Sequence, residues 1–333
     1  MEGNRLKRAV LSGVGAATPG RVLTNYDFEK LVETSDEWIV SRTGIRERRV
    51  VENGMVGTDL ALEASRNALH EARLSPEVLD LILLGTVTPD YLVPSSACIL
   101  QQKLGATKAA AMDVVAGCTG FIYGLATANA FIQSGMYQNI LVIGVEVLSK
   151  LTNYKDRNTC VLFGDGAGAV VVCAAPPDER RGILSTFLAA DGSLANLLHV
   201  PIGGTVEPLT PDNYDKRGQY IKMAGNEVFK SAVREMGEAA ALALEKAGCS
   251  SDELSLLIPH QANIRIIEAT AKRVGLPMEK VYVNIDKYGN TSSASVPLAL
   301  WEARQTGRVK EGDLVLMVAF GAGFTWGSVL VRL

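Results

Sequence analysis

The hydrophobic positions of the chain fall into short apolar runs separated by stretches with helical periodicity. Asp59–Ala72 carries alanines along one face at helical spacing and follows Thr58, a residue type that caps helices. Buried strands that alternate with helices predict a layered α/β protein. The apolar runs that we interpret as buried strands are Leu79–Thr86, Ala111–Val115, Ile140–Val145 and Leu314–Phe320.

The sequence also repeats itself. At an offset of 175 residues (236 minus 61), the segment Ala61–Thr86 aligns with Met236–Gln261 without a gap. At an offset of 172 (289 minus 117), Gly117-Cys118-Thr119 aligns with Gly289-Asn290-Thr291. Both copies then enter an apolar strand. The chain is therefore expected to contain two copies of one α/β unit.

We place the two halves at residues 1–176 and 177–333. Related halves usually pack about a pseudo-two-fold axis, so equivalent positions lie near each other. Cys118 and Asn290 are equivalent in the alignment, and each is expected at a strand-to-helix turn. The repeat therefore predicts that these two side chains meet.

Composition narrows the class of protein. The 333 residues are 47% hydrophobic, with a mean hydropathy of +0.15 and a net charge of −3. These values exclude collagen, coiled coil and disorder, and they give no global reason to expect nucleic acid or an anionic membrane as partner. The apolar run that begins at Ala9 is broken at Ser12, so we expect a first β-strand there rather than a signal peptide. No run approaches the ~18 apolar residues of a membrane span.

The cysteines and histidines are sparse. Five cysteines include no CxxC pair, so neither a disulfide scaffold nor a zinc cluster is expected, and reduced thiols fit a cytoplasmic protein. The three histidines, His70, His199 and His260, form no metal-binding pair, so no metal site is predicted. His70 and His199 are interpreted as bystanders.

Cys118 is the candidate nucleophile. Gly117 permits a tight turn after a strand, and a helical pattern of small residues begins at Thr119. A thiol at a helix N-terminus feels unpaired N–H groups and the positive end of the dipole, and both are expected to lower its pKa. The other cysteines are interpreted as small buried hydrophobic residues.

His260 and Asn290 are the candidate partners of Cys118. His260 lies just past the end of a buried strand, where α/β proteins place functional groups, and Gln261 and Asn263 add polarity there. Asn290 alone would be interpreted as a helix cap. Its equivalence to Cys118 favours a third active-site group that supplies a side-chain N–H donor.

Three glycine clusters differ in what they indicate. Gly13-Val-Gly15 lacks a third glycine and a following helix, so a dinucleotide site is not expected. Phe163–Ala169 is expected to form a tight turn rather than a phosphate cradle. In Phe320–Gly327 the glycines would let a backbone N–H approach a ligand, as an oxyanion hole requires.

At these motifs the sequence resembles β-ketoacyl-acyl-carrier-protein synthase III, the initiating condensing enzyme of type II fatty-acid synthesis. The matching segments are Gly-Cys-Thr-Gly-Phe at 117–121, Phe-Gly-Asp-Gly-Ala-Gly at 163–168, Pro-His-Gln-Ala-Asn at 259–263, Gly-Asn-Thr-Ser at 289–292, Gly-Phe-Thr-Trp-Gly at 323–327 and the stretch from Ser35 to Arg46. The resemblance implies the thiolase fold, in which duplicated halves form a five-layered α/β/α/β/α sandwich, and a homodimer. It also implies a catalytic Cys, His and Asn at Cys118, His260 and Asn290.

The resemblance further implies a reaction without a cofactor. Cys118 would take an acyl group from a short acyl-CoA, and the N–H groups of Cys118 and Ala322 would hold the oxyanion. Malonyl-acyl-carrier protein would then lose CO2, with His260 and Asn290 donating hydrogen bonds to the enolate. The products would be 3-oxoacyl-acyl-carrier protein, CoA and CO2.

Substrate-binding residues are implied in the same way. By similarity, Trp38 and Arg157 would sandwich the adenine of CoA, while Arg42, Asn263 and Gly225 would contact the phosphates, the pantetheine and the tunnel wall. Val93, where some relatives carry Phe, would close the acyl pocket across the dimer, and its small side chain leaves primer length and branching open. A basic surface for the acidic carrier protein is expected at Lys230, Arg265, Lys272 and Arg273.

Other functions remain open from the sequence. A related acyltransferase on the same scaffold could use another acyl acceptor. A Cys-His-Asn thioesterase or amidase has the same residue order, but the internal repeat counts against it. A carrier-binding protein without activity is a third possibility, and the intact reactive positions count against that one.

Overall fold

The structure, a computed structural model, describes residues 6–333. Its strands are β1 Arg8–Ala17, β2 Arg21–Thr24, β3 Glu47–Val50, β4 Leu81–Gly85, β5 Ala110–Val114, β6 Asn139–Val147, β7 Asp165–Ala175, β8 Gly182–Ala190, β9 Leu198–His199, β10 Lys222–Met223, β11 Leu256–Pro259, β12 Leu314–Gly321 and β13 Thr325–Arg332. Its α-helices are α1 Asn25–Glu29, α2 Asp36–Thr43, α3 Gly57–Ala72, α4 Ser96–Leu104, α5 Gly120–Gln133, α6 Arg157–Cys160, α7 Gly225–Ala247, α8 Ile264–Val274, α9 Ile285–Tyr288 and α10 Ser295–Gln305.

Two central sheets have the same strand order. The first is β1-β7-β6-β4-β5, in which β4 runs parallel to β5 and β6 while β7 is antiparallel to its neighbours. The second is β8-β13-β12-β11, with β11 parallel to β12 and β13 antiparallel to its neighbours. Val281 then forms a parallel bridge with Leu257, in the place that β5 takes beside β4. The duplication predicted from the sequence is confirmed.

The helices complete five layers. Helices α3 and α4 pack on the outer face of the first sheet, and α7 and α8 pack on the outer face of the second. Helices α5 and α10 contact strands of both sheets. Apolar side chains such as Phe121 and Leu125 of α5 join Val170 and Val329, from the two sheets, in one buried cluster. This is the α/β/α/β/α sandwich expected from the sequence.

Every strand of the first sheet lies between residues 8 and 175, and every strand of the second lies between 182 and 332. The four apolar runs interpreted as strands form β4, β5, β6 and β12. Within residues 6–333, no helix is both long enough and apolar enough to cross a membrane.

The predicted helix cap at Thr58 is wrong. Helix α3 begins at Gly57, two residues before the predicted Asp59, and Val56 is the capping residue. The backbone N–H of Val56 donates to the Asp59 carboxylate at 3.1 Å, so the acidic side chain supplies the cap from inside the helix. The Thr58 hydroxyl instead donates to Asp90.

The predicted tight turn at Phe163–Ala169 is also wrong. Asp165 opens β7, and the strand continues to Ala175. The glycines serve close packing rather than a turn: a Cβ placed on Gly168 would lie 2.6 Å from the Pro297 Cβ of α10. The two halves therefore approach each other closely along this strand.

Candidate active site

Cys118 lies in the turn that joins β5 to α5. Gly117 has a φ of +56°, a conformation that favours glycine, and a Cβ there would lie 2.5 Å from the backbone N of Ala322. The Cys118 side chain is half-buried and lines a cavity of about 270 Å³. The turn therefore presents the thiol to an enclosed space bounded by the second half of the chain.

The pKa of the Cys118 thiol is raised, whereas the sequence predicts that it is lowered. Burial raises this pKa to about 12, and the negative charge of Glu146 contributes to the same direction, whereas a hydrogen bond with the Ser292 hydroxyl lowers it. The free-energy cost of burying a thiolate therefore outweighs the stabilisation that the N–H groups at the start of the helix provide. At neutral pH Cys118 is therefore a thiol in the free protein.

His260 follows β11 and is buried at the wall of the same cavity. Its Nδ1 lies 2.6 Å from Ser295 Oγ, and that oxygen accepts the Gln261 N–H at 3.4 Å. Within the described residues His260 Nδ1 is the one acceptor near the Ser295 hydroxyl, so we assign the hydroxyl proton to Nδ1, which leaves Nε2 to carry the ring proton. Burial lowers the pKa of His260 to about 3, so the imidazole is neutral.

Asn290 is fixed from three sides. Its backbone N–H donates to Leu162 O at 2.9 Å, and its backbone carbonyl accepts the Gly164 N–H at 3.0 Å. Its side-chain Oδ1 accepts the Ser292 N–H at 2.9 Å. Among the described residues the Nδ2 group has no hydrogen-bond partner, so its N–H groups remain available to a bound molecule in the cavity.

The loop between β12 and β13 completes the cavity beside Cys118. A Cβ on Gly321 would lie 2.3 Å from the Cys118 backbone N, and Thr325 Oγ1 donates to Ala116 O at 2.8 Å. Within the part of the chain that the structure describes, neither the Cys118 N–H nor the Ala322 N–H donates a hydrogen bond to another residue. Two unpaired amides next to a thiol have the chemistry of an oxyanion hole.

The structure thus brings together most of the predicted reaction and substrate residues. The cavity walls come from both halves, and the predicted residues among them are Gly225 at the start of α7, Asn263 at the start of α8, Cys118, His260, Asn290 and Ala322. The remaining walls are mainly apolar. Across residues 6–333 no group of three His, Cys, Asp or Glu side chains is placed to hold a metal ion.

The residues predicted for the adenine lie outside the cavity but next to it. The Arg157 guanidinium stacks on the Trp38 ring at 4.7 Å from the ring centroid, and Arg42 lies 5.6 Å from the same centroid. Asn263 Nδ2 donates to Arg42 O at 2.9 Å, which connects the cavity wall to this cationic cluster. Since Arg157 touches Trp38 directly, a base that enters between them must separate the two side chains.

The four predicted basic residues are all exposed and lie on α7 and α8, which pack against each other. Lys230 forms an ion pair with Glu227 at 3.0 Å, and Arg265 lies over the Phe229 ring at 5.4 Å. Phe229 also lines the cavity. Lys272 and Arg273 occupy the last turn of α8. This basic surface therefore begins at the edge of the cavity and extends along α8.

Val93 does not line the cavity in the single chain. It lies in the loop before α4 with 84% of its surface exposed, next to Leu92 at 87%. In a single chain this apolar loop is therefore exposed to solvent.

Sequence reasoning missed three residues of the site. Ser292 lowers the pKa of Cys118, and the negative charge of Glu146 raises it. His199 lines the cavity, and its buried Nδ1 has no hydrogen-bond partner among residues 6–333. A signal for Glu146 was present, because it is the single charged residue in the apolar run of β6. The position of His199 depends on pairing of β9 with β10, two-residue strands that are too short to predict.

A duplicated five-layered sandwich with a thiol, a neutral imidazole, a carboxamide and two unpaired amides in one cavity defines a thiolase-fold enzyme that transfers acyl groups. The model of the family 3-Oxoacyl-[acyl-carrier-protein (ACP)] synthase III matches residues 112–192, and the model of its C-terminal part matches 244–333. The chain belongs to the 3-oxoacyl-acyl-carrier-protein synthase III family, and it is an acyltransferase of the condensing type.

Individual relatives agree over almost the whole chain. The β-ketoacyl-acyl-carrier-protein synthase III of Caldanaerobacter subterraneus subsp. tengcongensis is 53% identical over 97% of each chain. The crystal structure of 3-oxoacyl-acyl-carrier-protein synthase III from Aquifex aeolicus has a TM-score of 0.90 at 52% identity, covering 98% of this chain and 100% of that one. The structure of the Thermus thermophilus β-ketoacyl-acyl-carrier-protein synthase III has a TM-score of 0.90 at 46% identity, covering 97% and 99%.

Proposed function

We propose that the protein catalyses the decarboxylating Claisen condensation of a short acyl-CoA with malonyl-acyl-carrier protein, which initiates fatty-acid synthesis. The products are 3-oxoacyl-acyl-carrier protein, CoA and CO2. The observation that carries the proposal is the convergence of Cys118, His260 and Asn290, with two unpaired backbone amides, on one mainly apolar cavity.

In the first half of the reaction, Cys118 Sγ attacks the thioester carbon of the acyl-CoA. The N–H groups of Cys118 and Ala322 hold the oxyanion of the tetrahedral intermediate, a stabilisation of roughly 3 kcal/mol for each donor. The C–S bond to CoA breaks, CoA leaves, and the acyl group remains as a thioester on Cys118.

In the second half, malonyl-acyl-carrier protein occupies the cavity and loses CO2. The electron pair of the broken C–C bond forms an enolate whose oxygen accepts hydrogen bonds from His260 Nε2 and Asn290 Nδ2. The enolate carbon attacks the acyl carbon, and the Cys118 thiolate leaves. Two neutral donors suit this step because an enolate is stabilised without moving a proton to it. These steps use only groups of this chain, and acyl-CoA is a substrate rather than a cofactor.

CoA would enter past the Trp38 cluster. The ring, flanked by Arg157 and Arg42, offers an aromatic face for the adenine and two cations for the phosphates. Asn263 and Gly225, at the cavity wall, would contact the pantetheine arm.

Replacing Trp38 with alanine is expected to raise the KM for acyl-CoA about tenfold, because a stacking and cation–π surface of roughly 1–2 kcal/mol is lost. The decarboxylation rate of malonyl-acyl-carrier protein should not change, since that substrate carries no adenine. Tyr26→Ala, which removes another exposed aromatic ring, is the matched control. Steady-state kinetics with each substrate varied in turn measure both effects; an unchanged KM for acyl-CoA would place the adenine elsewhere.

The carrier protein would dock on the basic surface of α7 and α8, through Lys230, Arg265, Lys272 and Arg273. Positive charge at the edge of the cavity suits an acidic partner that must deliver a tethered substrate into it. Charge complementarity there would act mainly on the association rate.

We further propose a homodimer in the cytoplasm, built from chains whose halves are residues 1–176 and 177–333. Strand β5 lies at an open edge of its sheet, where Met112 and, just after the strand, Val115 are exposed to solvent. Leu92 and Val93, in the loop before α4, are exposed as well. In the dimer, Val93 would reach the acyl pocket of the partner subunit. All five cysteines are free, as a reducing compartment requires.

A related acyltransferase that uses another acceptor would share the first half-reaction, so the acceptor decides between the two functions. The test is product analysis by mass spectrometry after incubation with an acyl-CoA and malonyl-acyl-carrier protein. A 3-oxoacyl-carrier protein, absent with Cys118→Ser, supports condensation. Release of CoA without that product would support another acceptor or simple hydrolysis.

A further inference from the structure

Glu146 is a fully buried carboxyl group that contacts Ser292, a residue of the cavity wall. Its Oε2 accepts hydrogen bonds from Thr88 Oγ1 at 2.7 Å, Val87 N at 3.1 Å and Thr86 Oγ1 at 3.2 Å. Its Oε1 faces the loop after Asn290. No ion pair within residues 6–333 includes Glu146. A carboxylate buried without a cation is costly, so this group has reason to take up a proton.

The hydrogen bonds at Oε1 provide an acceptor for a proton bound to this carboxyl group. Ser292 Oγ and Ser293 Oγ each lie 3.0 Å from Oε1. Ser293 has one hydroxyl proton and a second acceptor, Gly85 O, at the shorter distance of 2.8 Å. When Ser293 donates to Gly85 O, its oxygen is free to accept a proton held on Glu146.

Ser292 connects this carboxyl group to the candidate nucleophile. Its hydroxyl donates to Glu146 Oε1 at 3.0 Å, and it lines the same cavity as Cys118, whose pKa it lowers. The residue is held in the left-handed region at a φ of 49°, which is uncommon for serine, while its backbone N–H is used by Asn290 Oδ1. While its single proton is donated to Glu146, the serine oxygen is free to accept a proton from the thiol.

The thiol needs such an acceptor. Burial favours its protonated form, and attack on a thioester requires the thiolate. His260 is poorly suited, because its Nδ1 is occupied by Ser295 and Nε2 carries the proton needed for the second half-reaction. Transfer to Glu146 also keeps a single negative charge in the buried site before and after the transfer, which avoids placing two charges there.

We propose that Ser292 and Glu146 form a relay that removes the proton from Cys118 during acylation. The inference rests on the proposed role of Cys118 as nucleophile. As Sγ attacks the acyl carbon, its proton passes to Ser292 Oγ while the Ser292 hydroxyl proton passes to Glu146 Oε1. When the C–S bond to CoA breaks, the CoA thiolate takes the proton back along the same path and leaves as CoA-SH. In this relay Ser292 takes the proton directly from the sulfur, and Glu146 acts through Ser292 as a positioning residue.

Few titratable groups surround Glu146. The Cys118 thiol is close enough for the charge of Glu146 to raise its pKa. Every hydrogen bond to the carboxyl group comes from the loop after β4 or from Ser292 and Ser293. Asp165, on the neighbouring strand β7, is paired in register with Val147 and so lies on the other face of the sheet. Its carboxylate accepts hydrogen bonds from Ser149 and Val51. Helices α3, α5 and α10, which also pack on β6, donate no hydrogen bond to Glu146.

The test is the rate at which Cys118 is acylated by an acyl-CoA, measured by rapid quench and intact mass between pH 5.5 and 9. Burial raises the pKa of Glu146 to about 7. Because the relay works only when Glu146 is ionised, the wild-type rate should rise as the pH increases through that value and then level off. Glu146→Gln should be acylated about a hundredfold more slowly at pH 7, and its rate should keep rising with pH because hydroxide replaces the missing acceptor.

The controls separate a relay from a structural role. Asp165→Asn changes another buried carboxylate and should leave the pH profile as in wild type. Ser292→Ala keeps the backbone N–H that holds Asn290 but should be slowed like Glu146→Gln. Alkylation of Cys118 by iodoacetamide, which needs no acyl-CoA, should show the same profiles.

Other outcomes of the same measurements would overturn the relay. If Glu146 acted only as a negative charge that raises the Cys118 pKa, Glu146→Gln would be acylated and alkylated faster than wild type. That outcome, or a profile unchanged in Glu146→Gln and lost in His260→Asn, overturns the relay while leaving Cys118 as nucleophile. A wild-type enzyme that reacts with iodoacetamide at Cys118 but not with any acyl-CoA would instead overturn the proposed function.

Discussion

Asn290→Ala is expected to accept an acyl group on Cys118 at close to the wild-type rate while losing decarboxylation of malonyl-acyl-carrier protein by a factor of about 10² to 10³. The reason is the division of hydrogen-bond donors in the cavity. The amides of Cys118 and Ala322 serve the first half-reaction, whereas Asn290 Nδ2 has no partner within the described chain and is free for the enolate of the second. Release of CO2 from labelled malonyl-acyl-carrier protein and intact mass after acyl-CoA measure the two halves separately.

His260→Ala should behave in the same way, because its Nε2 is the other donor to the enolate. Cys118→Ser provides the reverse control, since it removes the acyl-enzyme but leaves both enolate donors in place. If Asn290→Ala released CO2 at the wild-type rate, the role that we assign to its amide would be wrong.

Gly321→Ala is the second substitution with a large expected effect. The new Cβ would lie 2.3 Å from the Cys118 backbone N and 3.0 Å from its Cα, so the turn that carries the thiol must move. Displacing one oxyanion donor is expected to slow acylation about a hundredfold or more. Rates of acyl-enzyme formation, together with circular dichroism to verify the fold, measure the effect.

Gly20→Ala is the matched control, because a Cβ there meets no other atom within 4 Å. It should acylate as wild type does. Normal acylation of Gly321→Ala would mean that the amide of Cys118 does not stabilise the oxyanion.

The fold could be predicted because its signals are local and repeated. Apolar runs long enough to cross a sheet correspond to β4, β6 and β12, and the offset of 175 residues between the two copies aligns β4 with β11 from the sequence alone. The same repeat predicted that Cys118 and Asn290 lie together, and both line the cavity. Most residues of the candidate site could therefore be predicted from sequence motifs that lie at turns of the chain.

What could not be predicted depends on the environment that the whole fold creates. The position of Cys118 at a helix start indicates a lowered pKa, but burial by the second half reverses the direction. Glu146 is one acidic residue in an apolar strand, and only the folded chain brings Ser292, far along the sequence, into contact with it. The predicted cap of α3 was wrong for a similar reason, since Thr58 donates to Asp90 in another loop.

The central claim is that Cys118 carries the acyl group between the two half-reactions. Intact-mass analysis after incubation with a panel of acyl-CoAs, followed by peptide mapping, tests it directly and also ranks the primers by length and branching. We expect an acyl adduct on Cys118 alone among the five cysteines, which disappears when malonyl-acyl-carrier protein is added and CO2 is released. Hydrolysis of acyl-CoA without an adduct, or an adduct that persists after malonyl-acyl-carrier protein is added, would contradict the account.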